Sequence, residues 1–539
     1  MAEQNKHGLR NTLVLLCGVV LVGIVVFIAV RWPDKPVRYA DPLENFKYGS
    51  IGSDIDRGLP IDIVAVLPKM FPEYLPEGAR SQDYTALGLI QEPGRALPIG
   101  FSMRRRFGFF NVVGLNCAVC HTGSVRATPE STPIIIPTMP ANTFDVLAYF
   151  EFLFNCAGDA RFNTAEVLKA IKQHKSVDPL SWLFYQVAIP SFKGGVLRMR
   201  TQISFFFPTT YTDFPESVLH NDAELQPIYE TRKAQGQSFF EAYPGFPSHP
   251  RSGPGRVDTF NPYKMIQFAH AYHNVPFPVG QSIGTSDFPS VWNLDFRTTK
   301  HIPFHWDGNT TDVNDRNFTA AFGAGVVPEN VKSPQEYQAI TQVGAWLGQV
   351  KAPKYPHEVD AAHFPLDRTR AEQGRAVFQK SCDACHGPEG PMLGKIFPLS
   401  EIGTDPYRVH SYTEKLRDLF FAYTKGYDFA FKSLRKTDGY KSPYLDGIWA
   451  TAPYLHNGSV PNMMALLTPP QERPKVFFRG GDVYDPVNLG FRADQPSQDG
   501  RKLFRFDTTL PGNSNQGHVY GTELSHEEKA ALIEYLKTL

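Results

Sequence analysis

Cys117-Ala-Val-Cys120-His121 and Cys382-Asp-Ala-Cys385-His386 repeat one pattern, C-x-x-C-H, within a single chain. Two thiols at this spacing can add to the two vinyl groups of one porphyrin. The imidazole that follows then reaches the iron as proximal ligand. A redox C-x-x-C has no need of the histidine, and a structural zinc site would want both cysteine pairs together. Only Cys17 and Cys156 remain of the 6 cysteines. The pattern therefore predicts two covalently attached haem c groups. Cys117, Cys120, Cys382 and Cys385 carry them, and His121 and His386 ligate the iron.

The chain around the second motif has the frame of a small cytochrome c domain. Upstream, Gly374 and Phe378 lie four apart on one helical face in Arg370–Cys382. Downstream, Ser525 and Glu528 form a capping box, and Leu532, Tyr535 and Leu536 make an apolar stripe. Two helices crossing beside a haem are expected, so residues 366–539 read as the C-terminal domain. The first motif lies in a longer N-terminal domain, residues 36–365. It contains a Pro-rich extended stretch (132–140) and a helix from Thr143 to Phe154. An insertion over about 160–290 walls the first haem. The expected fold class is mainly α: two cytochrome c-like haem domains with long loops and an insertion in the first, preceded by one transmembrane helix.

That last element is Leu13 to Val30, uncharged throughout, with Lys6 and Arg10 before it and Arg31 after it. Eighteen residues at about 1.5 Å each nearly cross a hydrocarbon core of about 30 Å. No small-residue cleavage site follows, so an uncleaved signal-anchor (1–35) is the first reading and a cleaved signal peptide the second. Because c-type haem is attached outside the bacterial cytoplasmic membrane, this places the chain at the bacterial inner membrane with its bulk in the periplasm. Charge is balanced, 54 basic against 54 acidic residues, which gives no electrostatic case for nucleic acid. The 41 Phe and 45 Pro suit large apolar pockets and long loops alike. Cys156, beside Phe152-Leu153-Phe154, reads as a buried apolar residue.

The sixth iron ligands decide the chemistry: a second strong ligand suits electron transfer, and an open position suits oxygen or peroxide. For the second haem, His518 is the first candidate, because its Gly-flanked loop just before the final helix can swing over a haem face. His456 is the runner-up, and Met392 is too close in sequence to its motif. Around the first haem, His301, His305 and Trp306 could line a distal pocket or form an ordinary aromatic turn. Trp292 suits an electron bridge between the haems or plain core. Arg104-Arg105-Arg106 suits propionate contacts or a solvated turn.

Thr451-Ala-Pro-Tyr454-Leu-His456-Asn457-Gly458-Ser459 resembles the signature of the di-haem cytochrome c peroxidase and MauG proteins. Val113 to Gly123, the Trp292 and Trp306 segments and Gly512 to Gly521 are closer to the branch holding the rubber oxygenases and di-haem fatty-acid dioxygenases. The resemblance implies that the N-terminal haem binds dioxygen and oxidises substrate. It implies a bis-histidine C-terminal haem with His518 as its second ligand, Trp292 near both haems, and His456 near the pair. Catalytic candidates are thus Trp292, His305, Trp306 and His456. The expected function is an oxidoreductase in which haem 1 activates dioxygen or hydrogen peroxide against an apolar, unsaturated substrate such as a lipid, while haem 2 transfers or stores electrons. Two alternatives stay open. One is a peroxidase fed by a periplasmic donor cytochrome, and the other is an electron carrier without catalysis.

Overall fold

The computed structural model describes residues 34–79, 81–106, 110–203, 250–272 and 279–539, together with 18, 19, 21–23, 108 and 234. Four short strands form an antiparallel sheet in the order Lys35–Pro36, Phe101–Arg106, Phe110–Leu115, Leu59–Pro60. Its central hairpin pairs Arg104 with Val112 and Phe101 with Leu115. Alternate side chains of that hairpin face a core, so Phe101 and Val113 are buried. The chain leaves the sheet at Leu115 and enters the first motif at once, which ties Cys117 to the rigid end of the hairpin.

Three helices back this sheet. Val146–Gly158 starts where the Asp145 carboxylate accepts the Ala148 amide, and Thr164–His174 where Asn163 accepts the Glu166 amide. Pro179–Ile203 follows them. The first carries Tyr149, Phe152, Leu153 and Phe154 into an apolar core shared with Phe71, Phe101 and Phe162. Cys156 is fully buried there, as its neighbours suggest.

In the C-terminal part, helices Arg368–Ser381 and His526–Leu536 pack against one another. The capping box of Ser525 and Glu528 is formed in both directions. Phe378 meets Tyr535 with ring centres 5.2 Å apart. Gly374 sits at the closest point, where a Cβ would lie 1.9 Å from the Ala531 carbonyl oxygen. Gly374→Ala must therefore push the two helices apart. It is expected to cost about 1–3 kcal/mol of stability, readable as a lower urea midpoint.

Two expectations need correction. Of the described residues 42% are helical and 13% strand, so the class is not simply mainly α with a transmembrane helix. Short antiparallel pairs frame both motifs, because the long loops close on themselves as strands. Among the described residues no helix is long and apolar enough to cross a membrane. The 25-residue helix Pro179–Ile203 has the length, but it carries Lys193, Arg198 and Arg200. Of Leu13–Val30, only residues 18, 19 and 21–23 are described; the remainder lies outside the described residues. The N-terminal anchor, and the inner-membrane location that rested on it, is accordingly not supported.

Arg104 also departs from both of its readings. It is buried on the hairpin, with Nε 2.8 Å from Asp54 and Nη2 2.8 Å from Glu336. Arg38 adds a second cation to Glu336 at 2.7 Å. This network fastens the sheet to helix Pro334–Gln349.

Candidate haem sites

Each motif is a single tight turn. Asn116 caps the first by accepting the Ala118 amide at 3.0 Å, and the His121 amide donates to Cys117 O at 3.1 Å. In the second, the Cys385 and His386 amides both donate to Cys382 O, at 3.1 and 3.0 Å. One turn of this kind gathers two thiols and an imidazole on one side. Burial pushes the Cys120 thiol up to about 12 and the Cys382 thiol up to about 11. The two cysteine pairs do not share a site. Among the described residues no three His, Cys, Asp or Glu side chains converge as a metal cluster.

The two histidines are held alike. His121 Nδ1 donates to the Pro289 carbonyl at 3.0 Å, and His386 Nδ1 donates to the Pro443 carbonyl at 2.8 Å. A carbonyl can only accept, so Nδ1 carries the proton and Nε2 keeps the lone pair that a metal needs. Burial lowers both pKa values, that of His121 to about 3, so both rings are neutral.

Downstream of each of these carbonyl acceptors the chain forms one copy of a structural repeat. Pro303-Phe304-His305-Trp306-Asp307-Gly308-Asn309-Thr310 folds as Pro453-Tyr454-Leu455-His456-Asn457-Gly458-Ser459-Val460 does. Phe304 pairs with Thr310 and Tyr454 with Val460. His305 and Leu455 are both left-handed, φ 61° and 67°, as are Gly308 and Gly458. In this register His456 stands where the first copy has Trp306, and Leu455 where it has His305.

The surroundings of the two motifs differ. A cavity of about 420 Å³ opens at the first, within the usual range for a small-molecule site. Cys117, Cys120 and His121 line it, with Phe101, Tyr149, Phe154, Phe260 and Phe322 among its apolar walls. Its polar lining includes His305, Trp306, Asn309 and Arg316. His305 Nδ1 meets Asn309 Oδ1 at 2.6 Å. That leaves Nε2 as a proton acceptor.

His305 also sets a pH dependence. Burial pulls its pKa from 6.5 to about 4, against the opposing charge of Asp307. Between those pH values the unfolded chain binds a proton that the folded chain refuses. Stability from this group is full above about 6.5 and falls as pH drops toward 4. The stability gap between wild type and His305→Gln is expected to narrow by about 2 kcal/mol between pH 7 and 4.5, measured by urea unfolding.

None of Cys382, Cys385, His386 or His518 lines that cavity. At the second motif another imidazole closes the space. The His518 ring centre lies 6.2 Å from that of His386, with the rings inclined by 39°. Two metal–nitrogen bonds of about 2 Å plus two ring half-widths fill that gap. His518 Nδ1 is buried with no hydrogen-bond partner. The backbone at His518 is left-handed, φ 44°, and its amide donates to Ile402 O at 2.9 Å. Gly517, φ 77°, permits this approach, because a Cβ there would lie 2.4 Å from Ile402 O.

Arg473 holds the loop, and no sequence signal singled it out. All five of its N–H bonds go to main-chain carbonyls: Thr468, Leu466, Asn515, Gly517 and His518, at 2.6 to 3.1 Å.

Other candidates are placed as follows. Trp292 is fully buried, three residues beyond Pro289, and its indole donates to Asp446 O at 3.2 Å, three residues beyond Pro443. It joins the segments that hold His121 and His386. Trp306 makes a second link: its indole donates to Asp287 O at 2.8 Å, and its own carbonyl accepts the Lys441 amide at 3.0 Å. His456 lies outside the cavity, stacked on Tyr440 at 3.8 Å. Its carbonyl accepts the Asp287 amide at 2.9 Å. His301 is exposed and takes no part in the pocket.

Residues 439–478 match a family described as RoxA-like, cytochrome c-like. The match covers Pro443, His456 and Arg473. It supports a cytochrome c-like relation to the rubber-oxygenase branch, with haem c as the implied cofactor. The chain is 34% identical to the uncharacterized protein y4iJ of Sinorhizobium fredii (strain NBRC 101917 / NGR234), over 53% of this chain and 60% of y4iJ. It is 30% identical to the uncharacterized protein y4iM of the same strain, over 50% of this chain and 68% of y4iM. The chain belongs to the family of y4iM. The stretch of the family model that it shares holds the carbonyl clamp of His386 and the loop anchor Arg473, rather than the cysteines themselves.

Proposed function

We propose that the protein is a di-haem oxidoreductase with divided labour. The site at Cys117, Cys120 and His121 oxidises an apolar, unsaturated substrate with dioxygen or peroxide. The site at Cys382, Cys385, His386 and His518 passes or stores electrons. The observation that carries this reading is the asymmetry: a cavity of about 420 Å³ at one motif and a facing imidazole at the other.

When bound, haem would supply oxidant activation at the first site and one-electron transfer at the second. The chain does the rest. His121 and His386 offer neutral Nε2 atoms because Pro289 and Pro443 hold their protons on Nδ1. The aromatic wall of Phe101, Tyr149, Phe154, Phe260 and Phe322 excludes water and accepts an apolar substrate. His305 Nε2 can take a proton from a bound oxidant, with Asn309 fixing its tautomer. Trp292 and Trp306 give electrons two hydrogen-bonded routes between the segments whose carbonyls hold the proximal histidines.

Visible and electron paramagnetic resonance spectra test this. One ligand-accessible haem beside one low-spin bis-histidine haem is expected, and carbon monoxide should bind the first alone. Two low-spin haems that ignore added ligand would refute the oxidative role and leave an electron carrier. A peroxidase is the second reading, favoured by the His305–Asn309 pair; turnover of hydrogen peroxide with a reduced donor cytochrome, absent with dioxygen and unsaturated lipid, would select it.

A further inference from the structure

Among the described residues several buried charges are compensated. Arg104 meets Asp54 and Glu336, Arg408 meets Asp307, and Arg479 meets Asp287. Arg473 spends its donors on five carbonyls, and Asp258 in the cavity wall accepts four N–H groups. Arg316 differs from these in facing a cavity without a carboxylate partner among the described residues. It stands on helix Val313–Gly323, is 7% exposed, and lines the cavity at the first motif. Its hydrogen bond runs from Nη1 to Asn317 Oδ1, 2.8 Å, and among the described residues no carboxylate pairs with it. The neighbouring Asp315 turns away, accepting the Lys432 and Ser433 amides. The guanidinium is near enough to depress both His121 and His305. An uncompensated buried cation costs several kcal/mol. A planar fork of donors facing an apolar cavity is matched best by a carboxylate taken in two-point contact.

We propose that Arg316 is a carboxylate-binding subsite in the wall of the first cavity. The carboxylate comes from one of two sources: a propionate of the porphyrin, which rests on the reading given above, or the acidic end of an otherwise apolar ligand. Either source neutralises the cation. The second also orients the ligand, with its acidic end at helix Val313–Gly323 and its apolar body along the aromatic wall.

The test uses the holoprotein, with Arg316→Gln and Arg316→Lys. Decanoate and decanol are titrated by calorimetry, and the midpoint potential of each haem is followed against pH. A ligand carboxylate predicts decanoate at least about tenfold tighter than decanol, because a charge-assisted bond is lost with the alcohol. That preference should vanish in Arg316→Gln and survive in part in Arg316→Lys. A propionate predicts equal binding of the two probes. In that case Arg316→Gln should shift the midpoint potential and its pH dependence at one haem, with Arg316→Lys restoring them. Arg316→Gln that keeps the wild-type haem content, potentials and probe preference overturns the proposal. Should Arg316→Gln not fold, a partial loss of the same readouts in Arg316→Lys decides it. If mass spectrometry finds no haem on Cys117 and Cys120, the functional reading fails, and the calorimetric comparison still judges the subsite.

Discussion

His518→Ala is expected to turn the haem at Cys382–His386 from low-spin to high-spin and to let it bind carbon monoxide. Its midpoint potential should rise by on the order of 0.1 V, a modest share of the range that axial ligands command. Geometry gives the reason. The two imidazoles face each other at 6.2 Å, His386 has its Nδ1 proton tied to Pro443, and His518 has a buried nitrogen with no partner. Removing one ring removes the only facing imidazole observed there among the described residues. The rival ligand, His456, stacks flat on Tyr440 and is pinned through its carbonyl to Asp287. His456→Ala should therefore leave the spin state unchanged. If instead His456→Ala produces the high-spin signal and His518→Ala does not, the assignment of His518 is wrong. Added imidazole should restore the low-spin spectrum of His518→Ala, because the space it leaves is the size of the ring.

The parts of this arrangement that were legible in the sequence are those where covalent chemistry or local backbone geometry dictates residue type. C-x-x-C-H has to look as it does, and the Gly517-His518 pair announces a tight loop, which brings its imidazole opposite His386. The helix pair was readable from the small Gly374 and the capping box, since both are local signals. What stayed hidden depends on pairing between distant residues. The repeat relating Phe304–Thr310 to Tyr454–Val460 shares only a proline, an aromatic ring and a glycine at matching spacing. Its left-handed residues are His305 in one copy and Leu455 in the other, so residue type gives no hint of the shared backbone. His301 and His305 looked equivalent in sequence. A turn of four residues places one in solvent and the other in the cavity wall. Arg104 read as a haem contact or a surface turn because its partners, Asp54 and Glu336, lie far away in the chain. The apolar run at the N-terminus promised a membrane helix by hydropathy alone, and no described helix has that character.

Arg473→Gln is expected to have the largest effect on stability of any single polar substitution near the second motif. One guanidinium, 3% exposed, satisfies five carbonyls drawn from two separate segments, residues 466–468 and 515–518. Glutamine can reach at most two of them. The others would be left buried without donors, at a combined cost on the order of 3–5 kcal/mol. The functional readout is separate from this loss. Without the clamp, the strained backbone at His518 can relax, and its ring moves off the axis shared with His386. A mixture of low- and high-spin signal at the second haem is expected, moving toward low spin as imidazole is added, while the spectrum and ligand binding at the first haem stay as in wild type. Arg473→Lys keeps the charge but supplies three donors from one point, so it should recover part of the stability and little of the spin state. A uniformly low-spin Arg473→Gln with reduced stability would show that Arg473 braces the fold without setting the position of His518. Loss of both haem signals together would show that the two motifs unfold as one unit, and the Arg473→Lys spectrum would then carry the distinction alone.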